Sequence, residues 1–174
     1  MQNLFFFQSA IQPHYNQKHK VLIIKGLLGT FYLNFKDPIN FKIGQEKITV
    51  ESSLVQKSYE NTYLQIINNF CLGLIRGFKR YLVIKGLGYR TRKRKNWVLF
   101  KLGYSHLIRY RIPSLIRLKR IKKGKMKLIS VNWQLLKQTV DMIRSFKKPD
   151  VYKGKGIRYK GENFKLKLGK RSKK

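Results

Sequence analysis

The densest run of side chains with chemistry to offer lies between Pro149 and Tyr159, where the sequence is Pro-Asp-Val-Tyr-Lys-Gly-Lys-Gly-Ile-Arg-Tyr. Lys153, Lys155 and Arg158 supply positive charge for phosphate. Gly154 and Gly156 permit positive φ and let a backbone approach a phosphate closely. Tyr152 and Tyr159 can stack on bases or riboses, or wedge between RNA and the protein's own surface. A flexible basic linker is the plainer reading. Two tyrosines and an isoleucine among the charges favour a segment that docks.

Two other places concentrate cations. Arg90, Arg92, Lys93, Arg94 and Lys95 crowd an expected hairpin tip ahead of Asn96. Like charges this close repel unless solvated or paired. A solvated loop and a phosphate clamp both fit, and the charge of the whole chain favours the clamp. Lys119 to Lys127, with Lys122, Lys123 and Lys125 around Gly124, carries the same two readings.

Residues for catalysis or metal binding do not assemble in sequence. The acids are Asp37, Glu46, Glu51, Glu60, Asp141, Asp150 and Glu162, none closely spaced. His14, His19 and His106 lack metal-ligand spacing, and a single cysteine cannot build a thiolate site. Gly86-Leu87-Gly88 and Gly154-Lys155-Gly156 lack the downstream residues of a nucleotide-binding loop. His106 reads as a structural or RNA-contacting side chain rather than a base. The expectation is a protein without catalysis, metal or cofactor.

The elements that must position these residues show in the periodicity. Residues 1–20 have no period and read as an irregular lead-in. Val21–Lys25 and Phe31–Lys36 read as strands joined through Gly26 and Gly29, and Phe41–Ile43 with Lys47–Glu51 as a hairpin around Gly44. Ser58 is a candidate N-cap for a helix to Arg76, with Tyr59, Tyr63, Ile66, Ile67, Phe70 and Leu74 as its apolar stripe. Strands then restart at Tyr81–Lys85, Tyr89–Arg92 and Asn96–Leu102. His106–Ile112 reads as a strand with His106, Ile108, Tyr110 and Ile112 on one face and Arg109 and Arg111 on the other. Ile116–Arg120 points Ile116 and Leu118 inward, and Lys127–Val131 leads into a second helix capped by Asn132. Trp133, Leu136, Val140 and Ile143 form that helix's stripe.

Ile24-Lys25-Gly26-Leu27 recurs as Ile84-Lys85-Gly86-Leu87, and each copy opens a set of strands that a helix closes. The reading is therefore an α+β fold of two similar units, each a small antiparallel sheet with one packed helix. The divisions fall at 1–20 (lead-in), 21–77 (first unit), 78–146 (second unit) and 147–174 (basic tail). The tail holds twelve Lys+Arg and two acids without an amphipathic stripe, so it is expected to be at least partly disordered without a partner.

Composition bounds the partner. The 174 residues carry 40 Lys+Arg against 7 Asp+Glu, a net charge of +33, yet 43% are hydrophobic. A chain of this length has material for a core and is not a disordered polycation. Its self-repulsion calls for an anionic partner: RNA or DNA first, because phosphate contacts release counterions, with an anionic membrane behind them. No apolar run approaches the length of a membrane span. Met1 to Ile11 lacks the cationic start of a secretory signal and the arginines of a mitochondrial presequence. Ala10 is the single alanine, whereas Lys, Ile, Asn, Phe and Tyr are abundant. That bias matches AT-rich codons, as organellar genomes often use, and a protein encoded in an organelle needs no presequence. Cys71, alone and amid apolar neighbours, reads as a small buried hydrophobe.

The tail motif resembles the C-terminal signature of the universal ribosomal protein family "L six" of the large subunit, Pro-x-Pro-Tyr-Lys-Gly-Lys-Gly-Ile-Arg-Tyr. Pro149 and Tyr152 to Tyr159 match, and Val151 replaces the second proline. Gly86-Leu87-Gly88-Tyr89-Arg90 resembles the family's Gly-Val-Gly-Tyr-Arg. Leu102-Gly103-Tyr104-Ser105-His106 resembles its Leu-Gly-Tyr-Ser-His, with Leu107 where a proline is usual. The three stand in the family's order. The resemblance is strong from Phe78 to Glu162, weaker from Val21 to Gly77 and absent before Gln17; the family's usual first strand is not recognisable in residues 1–20.

The resemblance implies two similar α+β units and an architectural role without catalysis or cofactor. It implies that the second unit and tail bind large-subunit rRNA near the sarcin–ricin loop, by the elongation-factor site and stalk base. Neighbouring large-subunit proteins would be the other partners, with no membrane and no homo-oligomer. The low acid content and the codon bias favour a mitochondrial ribosome in the matrix ahead of a plastid or a bacterial cytoplasm.

Overall fold

Alternating apolar and polar residues dictate most of the strands. The computed structural model describes residues 4–6, 11–34, 40–44, 47–51, 57–122, 124–163 and 165–169. It divides into two units, Met1–Gly77 with Val131–Trp133, and Phe78–Ser130 with Gln134–Lys174. Small antiparallel sheets and two long helices make this an α+β fold.

In the first unit the described strands are β1 (Leu4–Phe6), β2 (Gln12–Asn16), β3 (Val21–Gly26), β4 (Gly29–Asn34), β5 (Asn40–Ile43) and β6 (Lys47–Glu51), followed by helix α1 (Lys57–Arg76). They form two three-stranded sheets, β2-β3-β4 and β1-β6-β5. On β3 the alternation is strict: Leu22 and Ile24 are fully buried while Lys25 is exposed. From α1, Ile67, Phe70, Cys71 and Leu74 join the same core, with Phe41 and Ile48 from the other sheet. Phe31 stacks on Phe70 with ring centroids 3.8 Å apart. Each large side chain so buried contributes about 1.5–3 kcal/mol. Tyr59 and Ser58 lie outside the residues whose side chains are described.

Residues 1–20 are not wholly the irregular lead-in expected from sequence: β1 and β2 lie within them. The polar Gln-Pro-His-Tyr-Asn of β2 hid the strand, because an edge strand needs no apolar alternation and tolerates Pro13. Its ladder to β3, from Gln12 opposite Lys25 to Asn16 opposite Val21, holds it instead.

The second unit runs β7 (Phe78–Lys85), β8 (Arg90–Arg94), β9 (Trp97–Lys101), β10 (Ile108–Arg111), β11 (Ile116–Lys122), β12 (Lys125–Ser130), α2 (Trp133–Ser145) and β13 (Gly156–Tyr159). One sheet has the order β11-β12-β7-β13 and the other β10-β9-β8. Leu82, Phe100, Leu102, Leu128 and Ile157 are fully buried, as are Leu136, Val140 and Ile143 on one stripe of α2. Asn132 precedes α2 directly, as its expected cap position requires.

One expectation is narrowed here and another fails. Part of the basic tail belongs to the folded unit: Gly156–Tyr159 pairs with Leu82–Lys85 as β13, and Ile157 is 0% exposed. The expected strand from His106 begins only at Ile108. Leu102 to His106 forms a bend instead, in which Gly103 takes φ +79.

Candidate nucleic-acid interface

The cations concentrate in the second unit. Thirty-two of the 40 Lys+Arg but only three of the seven acids lie after Gly77. All three acids are engaged by their own chain. Asp141 accepts a hydrogen bond from the Tyr159 hydroxyl, Glu162 pairs with the Arg144 guanidinium, and Asp150 caps a loop. Little anionic charge remains to balance the surface cations, and none of the exposed arginines discussed below is paired with these acids.

Asp150 builds the tail loop. Its carboxylate accepts from the backbone N–H of Tyr152 (3.1 Å) and Lys153 (3.2 Å), its carbonyl accepts from Gly154 N–H (2.9 Å), and its own N–H donates to the Lys155 carbonyl (2.9 Å). Such a self-bonded turn is what a short carboxylate side chain does best. It leaves Tyr152, Lys153 and Lys155 exposed, with Tyr152 56% accessible.

The glycines of this motif act differently from their sequence reading. Gly154 and Gly156 are buried. A Cβ on Gly156 would lie 2.6 Å from the Lys148 carbonyl oxygen and 2.7 Å from the Pro149 Cα, and one on Gly154 would lie 3.3 Å from Leu166. The close approach they permit is to the protein's own chain.

Tyr159 likewise turns inward. Its hydroxyl donates to Asp141, the Arg144 guanidinium lies 5.3 Å from its ring centroid, and its N–H donates to Glu162 (3.0 Å). Burial, then the hydrogen bond to Asp141 and that carboxylate's charge, push its phenol up to about 12. It fastens β13 to α2. Arg158, its neighbour on the strand, is half-buried.

The second cationic group lies on a hairpin, but mostly not at its tip. Arg90, Arg92, Lys93 and Arg94 form β8 itself, and the turn is Lys95-Asn96, with Lys95 at φ +43. Strand alternation therefore splits the group. Arg90, Arg92 and Arg94 share one face and are exposed. Lys93 points the other way, and its Nζ donates to the Leu118 carbonyl at 3.1 Å. Opposite the three arginines stand Lys101, Leu99 and Trp97 of β9.

The third group flanks the β11–β12 turn. Lys122 and Lys125 pair across it, Lys125 is exposed, and Gly124 (φ +75) accepts from Ile84 N–H at 2.6 Å. Lys123 and the side chain of Lys122 lie outside the described residues. A cleft of about 760 Å³ brings this turn together with the hairpin: Arg90, Arg92, Leu99, Lys101 and Gly124 line it. The tail-loop residues Tyr152, Lys153 and Lys155 are not among its walls.

His106 sits exposed in the bend, its ring 6.0 Å from that of Tyr104 and nearly parallel to it. Lys147 lies 4.4 Å over Tyr104, whose hydroxyl donates to the Phe146 carbonyl (3.1 Å). Among the described residues no three His, Cys, Asp or Glu come together to hold a metal, and no helix is long and apolar enough to cross a membrane. Sequence reading left Trp97 and Lys101 out of the site. Alternation along β9 puts both on one side of that strand, and the register with β10 sets Trp97 opposite Arg111 there.

No family model matches the chain. Individual relatives do. The chain is 35% identical over 156 residues to large ribosomal subunit protein uL6 of Borreliella burgdorferi, covering 88% of this chain and 87% of that protein. It is 32% identical over 165 residues to uL6 of Thermotoga petrophila, covering 89% and 90%. With uL6 of a Hydrogenobaculum species the identity is 37% over 153 residues, covering 86% and 84%.

Proposed function

The chain belongs to the uL6 family of large ribosomal subunit proteins, and from that premise we propose that its second unit anchors it to large-subunit rRNA near the sarcin–ricin loop and elongation-factor site. It is a structural constituent of the ribosome rather than an enzyme. Its partners are rRNA and neighbouring ribosomal proteins, and it acts there as a single copy.

The observation that carries the reading is the charge of the second unit, where cations far outnumber three acids that are already engaged internally. Such a surface gains most from phosphate, which neutralises it and releases counterions. Three regions present the cations. The tail loop offers Lys153 and Lys155 beside exposed Tyr152, with Arg158 on the following strand. The hairpin offers Arg90, Arg92, Arg94 and Lys95. The β11–β12 turn offers Lys125, with Lys122 and Lys123 beside it in sequence. His106, exposed next to Tyr104, adds an aromatic contact. Gly154, Gly156 and Tyr159 serve this interface indirectly, by holding the loop in place, and Lys93 serves it through the carbonyl it binds.

The site on the ribosome follows the family resemblance of the three ordered motifs. For compartment we favour the mitochondrial matrix. A single alanine among abundant Lys, Ile, Asn, Phe and Tyr is the signature of an AT-rich gene; the relatives named above are bacterial and speak to the ribosome, not to the organelle.

Sedimentation tests the reading. The protein should travel with the large subunit through a moderate salt wash and protect rRNA at the sarcin–ricin region in a chemical footprint. Recovery only from ribosome-free fractions would sink it, and fractionation of cells into organelle and cytosol decides the compartment.

A further inference from the structure

The β10-β9-β8 sheet has two faces of opposite character. Its inner face carries Val98 and Phe100, both buried. Its outer face is read directly from the register. Trp97 lies between Arg94 on β8 and Arg111 on β10, and Leu99 lies between Arg92 and Arg109. Lys101 pairs with Arg90. The result is an apolar strip along β9 with cations on both flanks and no acid on the face.

Among the described residues of the unit, the strip is left partly open. Trp97 is 46% and Leu107 51% exposed. A cleft of about 330 Å³ is lined by Arg94, Trp97, Leu99, Leu107 and Arg109. It shares Leu99 and Leu107 with the larger cleft that continues past Arg90, Arg92 and Lys101. An ordinary solvated sheet face mixes both signs of charge with Thr and Ser. This one holds six cations, five of them arginine, around a tryptophan.

We propose that this outer face is a platform for an unpaired RNA segment, with a base stacked on Trp97 and the backbone phosphates gripped by the flanking arginines. The proposal deepens the rRNA-binding reading and rests on it for the identity of the nucleic acid. Two features select unpaired RNA. A flat apolar floor suits a splayed-out base, which a duplex keeps within its stack. Arginine's planar fork suits phosphate oxygens better than lysine's point charge does. An acidic peptide would satisfy the cations and leave Trp97 without a planar partner.

The full-length chain carrying Trp133→Phe has Trp97 as its single tryptophan. Its fluorescence is titrated with a short oligouridylate, with a duplex RNA of equal charge, and with polyglutamate, all at one salt concentration. The oligouridylate should quench Trp97, and the duplex should not. In the otherwise native chain, followed by filter binding, Trp97→Ala should weaken oligouridylate binding about tenfold and leave its salt dependence unchanged. Arg94→Ala with Arg111→Ala should make the salt dependence shallower by about 1.4 units of slope, at roughly 0.7 per phosphate contact on a single strand. Equal quenching of Trp97 by the duplex or by polyglutamate, or an unaltered affinity in Trp97→Ala, would each overturn the proposal. Filter binding needs no Trp133 substitution, so a folding defect there does not blunt the test. Failure of the chain to bind large-subunit rRNA while it still binds oligouridylate would reject the ribosomal reading alone.

Discussion

Ile157 stands opposite Ile84 in the ladder between β13 and β7, and both are buried in the second unit. The residue at the centre of the family's basic signature is thus a core residue. Truncating it removes buried methyl groups and leaves a cavity. Ile157→Ala should destabilise the protein by about 2–5 kcal/mol and Ile157→Val by about 0.5–1.5 kcal/mol, measured as shifts in the urea midpoint at constant slope. A surface-like effect below about 0.5 kcal/mol for the alanine would mean that β13 is not docked in solution.

Gly156 makes a sharper case, because the conflict is with backbone. An added Cβ meets the Lys148 carbonyl and the Pro149 Cα, neither of which can swing aside, at a φ of +147 that side chains avoid. Gly156→Ala should cost about 1–3 kcal/mol and lower rRNA affinity with it, although no RNA need touch the glycine. Gly161, also at positive φ but with nothing within 4 Å of its added Cβ, is the control. Its alanine variant should unfold at higher urea than Gly156→Ala does.

Arg92 and Lys93 are neighbours in sequence with opposite assignments. Arg92 lies on the open face of β8, whereas the Lys93 ammonium is bonded to the Leu118 carbonyl. Arg92→Ala should reduce the salt slope of rRNA binding by about one unit at unchanged stability. Lys93→Ala should lower stability and leave the slope where it was. Identical slopes for the two variants would show that strand alternation does not divide the cluster.

In the tail loop, Lys153→Ala, Lys155→Ala and Arg158→Ala together should weaken rRNA binding. They should also make its salt dependence shallower, by about one unit for every phosphate these side chains neutralise. The slope of affinity against salt, on a log–log scale, reads this directly. An unchanged slope would show that these side chains touch no phosphate.

Burial pushes the Cys71 thiol up to about 11 from its ordinary 9.0. The thiolate is therefore favoured in the unfolded chain. The sign follows: the contribution of the neutral thiol to stability is intact below pH 9 and is lost as pH rises towards 11. Cys71 should resist alkylation at about pH 8 in the native protein and react at once in urea. Equal rates in both conditions would place the thiol on the surface.

Long or strictly alternating elements were legible in the sequence, and short polar ones were not. Helix α1 shows Ile67, Phe70 and Leu74 at helical spacing, and β11 shows Ile116 and Leu118 against Arg117 and Lys119, so tertiary packing had only to agree. β2 and β13 are recognisable only through the strand they pair with. β13 has one apolar side chain, Ile157, facing the core, too little for a period. For the site, residue type was legible and direction was not. Lys93, Tyr159, Gly154 and Gly156 all have the chemistry of an RNA contact, yet a carbonyl, a carboxylate and two close approaches within this chain claim them. His106 falls off the strand that the alternation implies because Gly103, with its positive φ, breaks the pattern just before it.

The docking of β13 also joins two things that a flexible tail would have kept apart. Its ladder bridges Leu82–Lys85 and Gly156–Tyr159, stretches far separated along the chain, so closing it carries a loop-entropy cost that nearer pairings avoid. The Asp150 loop is tethered directly to that strand. Whatever grips Lys153 and Lys155 therefore binds the closed sheet in preference to the opened one, and by mass action raises the unit's resistance to unfolding. The same linkage runs backwards: prising the strand from its sheet would slacken the hold on any ligand of that loop, so mechanical order at the sheet edge and retention of such a ligand would rise and fall together.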